Sequence, residues 1–219
     1  MLKPTIDLRP EASRFSWVVD GCRRGPSDLF DIPIYADRDC VVLPSIGSMV
    51  PGWSLVVPRQ SARNLASLKT DERRALIPAK DFVATTLHTF GGEVFEFEHG
   101  PAQLGSKTGC GVDQAHLHLV PMTFDLGEAV WAVHGGQRFQ ADQADPWSLI
   151  ELDRDYWLVR SRRTGAGLIV YPQEPVSQGI RRVIASKLGL EGWDYRQDQF
   201  GENALKTRRA AARSAEWAG

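Results

Sequence analysis

The chain has 219 residues, of which 42% are hydrophobic and 24% charged. That mixture excludes a disordered or fibrous polymer and is long enough for one sizeable core with an appended lobe. Its 26 basic and 27 acidic side chains leave a net charge of −1, so no global positive field exists to hold duplex nucleic acid, and any phosphate recognition must be local. Three scattered cysteines, Cys22, Cys40 and Cys110, suit neither a disulfide framework nor a four-cysteine zinc site. The first residues carry Lys3, Asp7, Arg9 and Glu11 with no apolar block, so no secretory signal is expected there. No stretch approaches the ~18 apolar residues of a bilayer span. A soluble protein of the reducing cytoplasm is expected.

Residues 1–33 read as an arm, with Phe15, Trp17 and Val18 as its compact apolar group. Short apolar runs at 40–43 and 54–57, punctuated by Pro44, Gly47, Pro51 and Gly52, predict a strand pair. Thr70 before Asp71 and Glu72 reads as a helix start, continued by Leu76, Phe82, Val83 and Leu87, with Pro78 kinking the helix or delaying it. Alternation of charge and apolar bulk from Glu93 to Glu98 predicts a half-buried strand. A loop from Pro101 to Gly111 returns into a second alternating strand from Asp113 to Val120, closed by Pro121. These elements give an α+β domain with an antiparallel sheet and a long helix over residues 34–125. Residues 126–219, less regular and containing Trp131, Trp147 and Trp157, read as a C-terminal α/β lobe. It holds a hairpin about Thr164-Gly165 and a helix capped by Ser177, carrying Ile180, Val183, Ile184 and Leu188 and stopped by Gly189. The final stretch, with Lys206, Arg208, Arg209 and Arg213, reads as a solvated helical face.

The strand at 113–120 carries the clearest chemical signal. Its period of two places Gln114, His116, His118 and Val120 on one face and Ala115, Leu117 and Leu119 on the other. A lone histidine is most simply a satisfied structural residue, but two on one polar stripe point to a site. A His-x-His pair can also ligate a metal ion, which needs further ligands. Pro121 follows closely and the next acid is Asp125, so no metal is expected. Glu96 and Glu98 share the histidine face if Phe95 and Phe97 pack behind the sheet, and are otherwise salt-bridged surface acids. His99 reads as a turn residue or a site wall, His88 and His134 as surface residues, and Gly135-Gly136 as a turn. Gly109, Cys110 and Gly111 either present backbone N–H groups to phosphate or form a flexible connection. A helix starting at Ser177, with Arg181 one turn on, offers a partial positive charge to an anion.

The run Gly111-Val112-Asp113-Gln114-Ala115-His116-Leu117-His118-Leu119-Val120-Pro121 resembles the signature of the histidine triad (HIT) superfamily. Val41-Val42-Leu43-Pro44, Pro51-Gly52-Trp53-Ser54-Leu55-Val56-Val57-Pro58-Arg59 and Phe97-Glu98-His99-Gly100 are similar to its earlier strands in order and spacing. The resemblance covers about residues 38–121, with weaker similarity to larger members through Ser177-Gln178, Arg181-Arg182 and Trp193-Asp194. It implies a HIT-like fold with a nucleotide pocket, in which the histidine matching His116 attacks the α-phosphorus and forms a nucleotidyl-histidine. His118 matches the third histidine and would donate to phosphate oxygens. Glu98, Gly109, Cys110, Gly111, Ser177, Gln178 and Arg181 are the residues expected to bind substrate. The resemblance implies no cofactor, a nucleotide or nucleotide-conjugate substrate, and a tendency to homodimers.

Two positions depart from the family pattern: Gln114 stands in place of the first triad histidine, and Ser61 where another histidine follows the second strand. An amide cannot carry a proton at neutral pH, so Gln114 can orient a leaving group without acting as its acid. Phosphate or pyrophosphate leaving an anhydride fits that limit better than an amine leaving a phosphoramidate. The expected function is that of a nucleotide hydrolase or nucleotidyltransferase. The alternatives are a lapsed catalyst that still binds nucleotides and a HIT fold adapted to a specialised non-nucleotide substrate.

Overall fold

The computed structural model describes residues 14–140 and 142–217; the first 13 residues of the expected arm lie outside it. A short helix α1 (Ser16–Val19) precedes strands β1 (Tyr35–Ala36), β2 (Cys40–Pro44) and β3 (Ser54–Pro58). Helices α2 (Thr70–Arg74) and α3 (Ile77–Leu87) lead into β4 (Glu93–Gly100) and β5 (Leu117–Met122). After helix α4 (Leu126–His134) come β6 (Gln137–Phe139), β7 (Tyr156–Ser161) and β8 (Gly167–Val170), then helices α5 (Gly179–Lys187) and α6 (Gly201–Trp217). The fold is α+β, with the strands in one antiparallel sheet ordered β1-β2-β3-β5-β4-β7-β8-β6. Among the described residues no helix is long and apolar enough to cross a membrane.

Local chemistry explains most of the boundaries. Pro78 lies in the first turn of α3 and separates it from α2, because its missing N–H and fixed φ are tolerated only at a helix start. The N-cap of α2 is Lys69 rather than Thr70, and the Glu72 carboxylate accepts from the Lys69 backbone N–H at 2.7 Å. Pro121 does not close β5. It pairs opposite Val94, and the lost donor is harmless because pairing with β3 ends at Leu119. The stretch after Asp125 is more regular than its pattern suggests: the Asp125 carboxylate accepts from Glu128 N–H at 2.9 Å and starts α4.

The C-terminal residues, expected as a separate lobe, continue the same sheet. β7 pairs with β4 along its length, from Phe95↔Ser161 to Gly100↔Tyr156. An uncovered β4 would be a long apolar edge open to association, and β7 removes it. The remaining sheet edges, β1 and β6, are two and three residues long.

The sheet buries both faces. On one, Ala79, Val83 and Leu87 of α3, spaced one turn apart, pack on Cys40, Val42, Val56, Leu117 and Leu119. The other face is covered in two parts. Phe15, Trp17 and Val18 lie on Val41, Leu43, Leu55 and Val57 at one side, while α4 and α5 cover Phe95, Phe97, Val120 and Trp157 at the other. β5 begins at Leu117 rather than at the expected Asp113, so His116 directly precedes the strand and His118 lies within it, both at the seam between these covers.

The α3 face also holds charges. Lys80 Nζ lies 3.0 Å from a Glu96 oxygen, and Arg162 Nη1 lies 2.9 Å from the same carboxylate, which is wholly buried. Glu96 is therefore a core ion-pair residue rather than a surface acid. Its two cations hold its pKa below the ordinary carboxylate value despite burial. Removing one partner of a buried pair leaves the other charge uncompensated. Glu96→Ala should accordingly lower unfolding free energy in urea by about 3–5 kcal/mol, whereas the double change Lys80→Met with Glu96→Leu should recover most of that loss.

Candidate active site

His116 and His118 face away from α3 into the seam, as period-two geometry predicts, while Ala115, Leu117 and Leu119 pack in the α3-side core. Their ring centroids are 5.1 Å apart. Both line a small cavity of about 40 Å³, together with Arg14, Phe15, Leu55, Cys110, Arg181 and Tyr195.

One hydrogen bond fixes the chemical state of each ring. His116 Nδ1 is 2.8 Å from the Gln114 carbonyl oxygen. A carbonyl only accepts, so Nδ1 carries the proton and Nε2 keeps its lone pair. At His118 the polarity is reversed: Trp53 Nε1–H donates to Nδ1 at 3.0 Å. An indole only donates, so the His118 proton resides on Nε2. The His118 ring is held flat on Phe97, its cross-strand neighbour, at 4.3 Å between centroids. Burial pushes His116 down to about 4, against the pull of its bond to Gln114. Burial, joined by the neighbouring His116, His99 and Arg181, takes His118 well below its ordinary value. Both rings are neutral at pH 7.

His99 is neither a turn residue nor a simple wall. It sits within β4, buried, with its ring edge-on to His118 at 6.1 Å, and its Nε2 accepts the Ile180 backbone N–H at 3.1 Å. Burial, with the charges of His116 and Arg181, holds it at about 3. The signal for it was present: Phe95, Phe97 and His99 share one period-two face of β4, and that face adjoins the histidine pair. Trp53 is a second residue missed by sequence reasoning, and only the alternation of β3 hints at its inward turn.

Several expected site residues stand elsewhere. Glu98 points to the α3 side, where its carboxylate accepts from Leu65 N–H at 2.7 Å, Trp147 Nε1–H at 2.7 Å and Tyr156 O–H at 2.6 Å. Burial still lifts it to about 7. Tyr156 reaches it across Gly100, where a Cβ would sit 2.1 Å from the tyrosine ring. Gln114 is buried and outside the cavity lining. Its amide Nε2–H donates to the carbonyls of Pro58 and Gln60, at 3.0 and 2.9 Å, tying the bend before β5 to the end of β3. It is the backbone of position 114, not its side chain, that touches the histidine pair.

Two of the loop donors expected to cradle phosphate are spent internally: Gly109 N–H goes to Ser106 O and Cys110 N–H to Lys107 O. The Cys110 carbonyl accepts from Tyr195 O–H at 2.9 Å and Arg196 Nη2–H at 2.8 Å. Of the three loop residues only Cys110 lines the cavity. Ser177 caps nothing. The N-cap of α5 is Gln178, in the left-handed region with φ 57, and its side chain donates to Asp194 and accepts from Tyr195 N–H. The Ile180 N–H that an anion would have used is taken by His99.

Arg181 does reach the site. Its guanidinium lies over Trp53 at 4.7 Å and donates to Trp193 O and Gly47 O at 3.1 and 2.6 Å. A Cβ at Gly47 would come within 2.5 Å of Nη2, so only glycine admits this approach. No carboxylate of the described residues pairs with Arg181, and burial lowers it to about 10. The cavity thus combines an acceptor nitrogen on His116, a donor on His118 and a buried cation.

No curated protein matches the chain. Among solved structures it is similar to a HIT-like protein from Bartonella henselae involved in cell-cycle regulation, at 22% identity over 52% of this chain and 78% of that one, TM-score 0.39. It is also similar to a HIT family protein from Bacillus anthracis, at 21% identity over 52% and 76%, TM-score 0.42. A zinc-bound histidine triad family protein from Mycobacterium smegmatis matches at 20% identity over 52% and 76%, TM-score 0.38. Residues 30–125, a little under half of the chain, match the family model described as the HIT domain.

Proposed function

We propose that the chain is a nucleotide hydrolase or nucleotidyltransferase that acts at an α-phosphate through a nucleotidyl-histidine on His116. HIT family members are generally nucleotide-binding hydrolases or transferases. The observation that supports this reading is the 2.8 Å bond from His116 Nδ1–H to the Gln114 carbonyl, which leaves Nε2 as a lone-pair nitrogen on a ring that lines the cavity. An unprotonated, oriented imidazole is what in-line attack on phosphorus requires. His118, with its proton on Nε2, is placed to donate to a phosphate oxygen as charge builds. Arg181 supplies the standing positive charge.

The same geometry argues for an anhydride. The Gln114 amide is committed to two backbone carbonyls and can neither protonate nor orient a leaving group in the cavity. A phosphate or pyrophosphate leaves without a proton, whereas an amine needs one.

Incubation with dinucleoside polyphosphates and nucleotide sugars should give turnover of at least one anhydride, with acid-labile nucleotidylation located at His116 by mass spectrometry. His116→Ala should reduce turnover by roughly 10³-fold or more while nucleotide binding survives. Binding without turnover in the wild type would support the lapsed catalyst instead, and preference for a phosphoramidate would contradict the anhydride assignment.

The pH profile gives an independent check. Only neutral His116 attacks, so activity is full above its pKa and lost as pH falls through about 4. The acidic limb of kcat/KM should lie near that value; a limb at the ordinary histidine value near 6.5 would show that burial does not control the ring.

A further inference from the structure

Arg14 has no place in the reading above, yet its guanidinium is among the least satisfied polar groups of the molecule. It belongs to the segment before the matched domain, its side chain is only 9% exposed, and it lines the cavity beside His116 and His118. One nitrogen, Nη2, donates to Asp31 Oδ1 at 2.6 Å. Nε and Nη1 are buried with no hydrogen-bond partner among the described residues. A guanidinium carries five donors, and buried donors are ordinarily paired. Two nitrogens with free N–H groups on the wall of a cavity call for an acceptor that enters it. No aspartate or glutamate lines the cavity, and Asp31 is already held by Arg14 and by Ser27 N–H at 3.1 Å. The positive charge of Arg14 bears on His116, while that of Arg181 bears on His118 and His99. The two arginines therefore serve the two ends of the histidine pair.

We propose that Arg14 binds the leaving phosphate during cleavage at His116, so that a fixed cation does the work a general acid would do for a poorer leaving group. This rests on the reading of His116 as nucleophile. His116 Nε2 forms a bond to the α-phosphorus while the bridging P–O bond breaks, and its electron pair departs on the terminal phosphate oxygen. A free N–H of Arg14 donates to that oxygen without transferring a proton. The imidazole becomes cationic and keeps its Nδ1 proton on the Gln114 carbonyl. Water or another acceptor then attacks phosphorus, returning neutral His116 and releasing the acceptor's proton to solvent. Placement of the cation in the segment before the HIT domain makes that segment part of the site.

The test compares two substrates with the same adenylyl group: diadenosine triphosphate, which expels ADP through its terminal phosphate oxygen, and the p-nitrophenyl ester of AMP, which expels a phenolate that needs no cation. Arg14→Gln leaves Asp31 buried and unpaired, so the double change Arg14→Gln with Asp31→Asn is measured beside it. Both variants should lose about 10²-fold or more in kcat/KM on the anhydride and less than about 5-fold on the ester, with Arg14→Lys between them and the wild type. Equal losses on both substrates, or none, would overturn the assignment and leave Arg14 a structural residue. Retention of turnover by His116→Ala would defeat the nucleophile reading separately. In that case, or if the wild type cleaves only one substrate, calorimetric binding of inorganic pyrophosphate decides. Binding that weakens at least about 10-fold in the double variant upholds Arg14 as a phosphate ligand, and unchanged or absent binding in the wild type rejects it.

Discussion

Two neighbouring imidazoles, His116 just before β5 and His118 within it, are locked in opposite tautomers by partners of opposite polarity. A backbone carbonyl can only accept and an indole N–H can only donate, so the bonds at His116 and His118 leave no choice about where each proton sits. Both rings are too buried to be charged at neutral pH. The chemistry of the cavity follows: one nitrogen offers a lone pair and its neighbour offers a proton. Stacking on Phe97 and the edge contact with His99 keep the His118 ring from turning.

The architecture explains how such a pair stays dry yet reachable. One face of the sheet is sealed by α3 and an ion-paired core, while the other is covered from two sides that do not meet. The histidines occupy the gap. The domain matched at residues 30–125 supplies them and the strands that aim them. The arginines and aromatic residues that close the gap, Arg14, Phe15, Arg181 and Tyr195, come from segments before and after it. These flanking residues help to desolvate the pair, which strengthens every electrostatic interaction inside. Because β7 occupies the outer edge of β4, the C-terminal half is part of the sheet that positions the site.

Much of this was legible in the residues. Period two over 113–120 placed His116 and His118 together, and the paired apolar runs at 40–43 and 54–57 became β2 and β3. What failed did so for identifiable reasons. On β4 the alternation was clear but its sense was not. Glu96 and Glu98 face α3 because Lys80, Trp147 and Tyr156 await them there, and no local pattern reports a partner contributed from 16 to 58 residues away. Gln114 lies in the bend before β5 rather than on the strand, and its amide is held by two backbone carbonyls at the β3 end. Ser177 was a plausible cap by composition, yet a left-handed Gln178 took that place once its side chain found Asp194. The roles of Trp53 and Arg14 depend on contacts 65 and 17 residues distant in sequence, which periodicity does not encode.

The account stands on the protonation sites of the histidine pair, and nitrogen-15 NMR reads these directly. In uniformly labelled protein at pH 7, two-bond correlations of the ring protons should show His116 protonated at Nδ1 and His118 at Nε2, each as a single neutral tautomer. An imidazolium at His116, or His116 carrying its proton on Nε2, would leave no free nitrogen in the cavity to attack phosphorus and would contradict the mechanism.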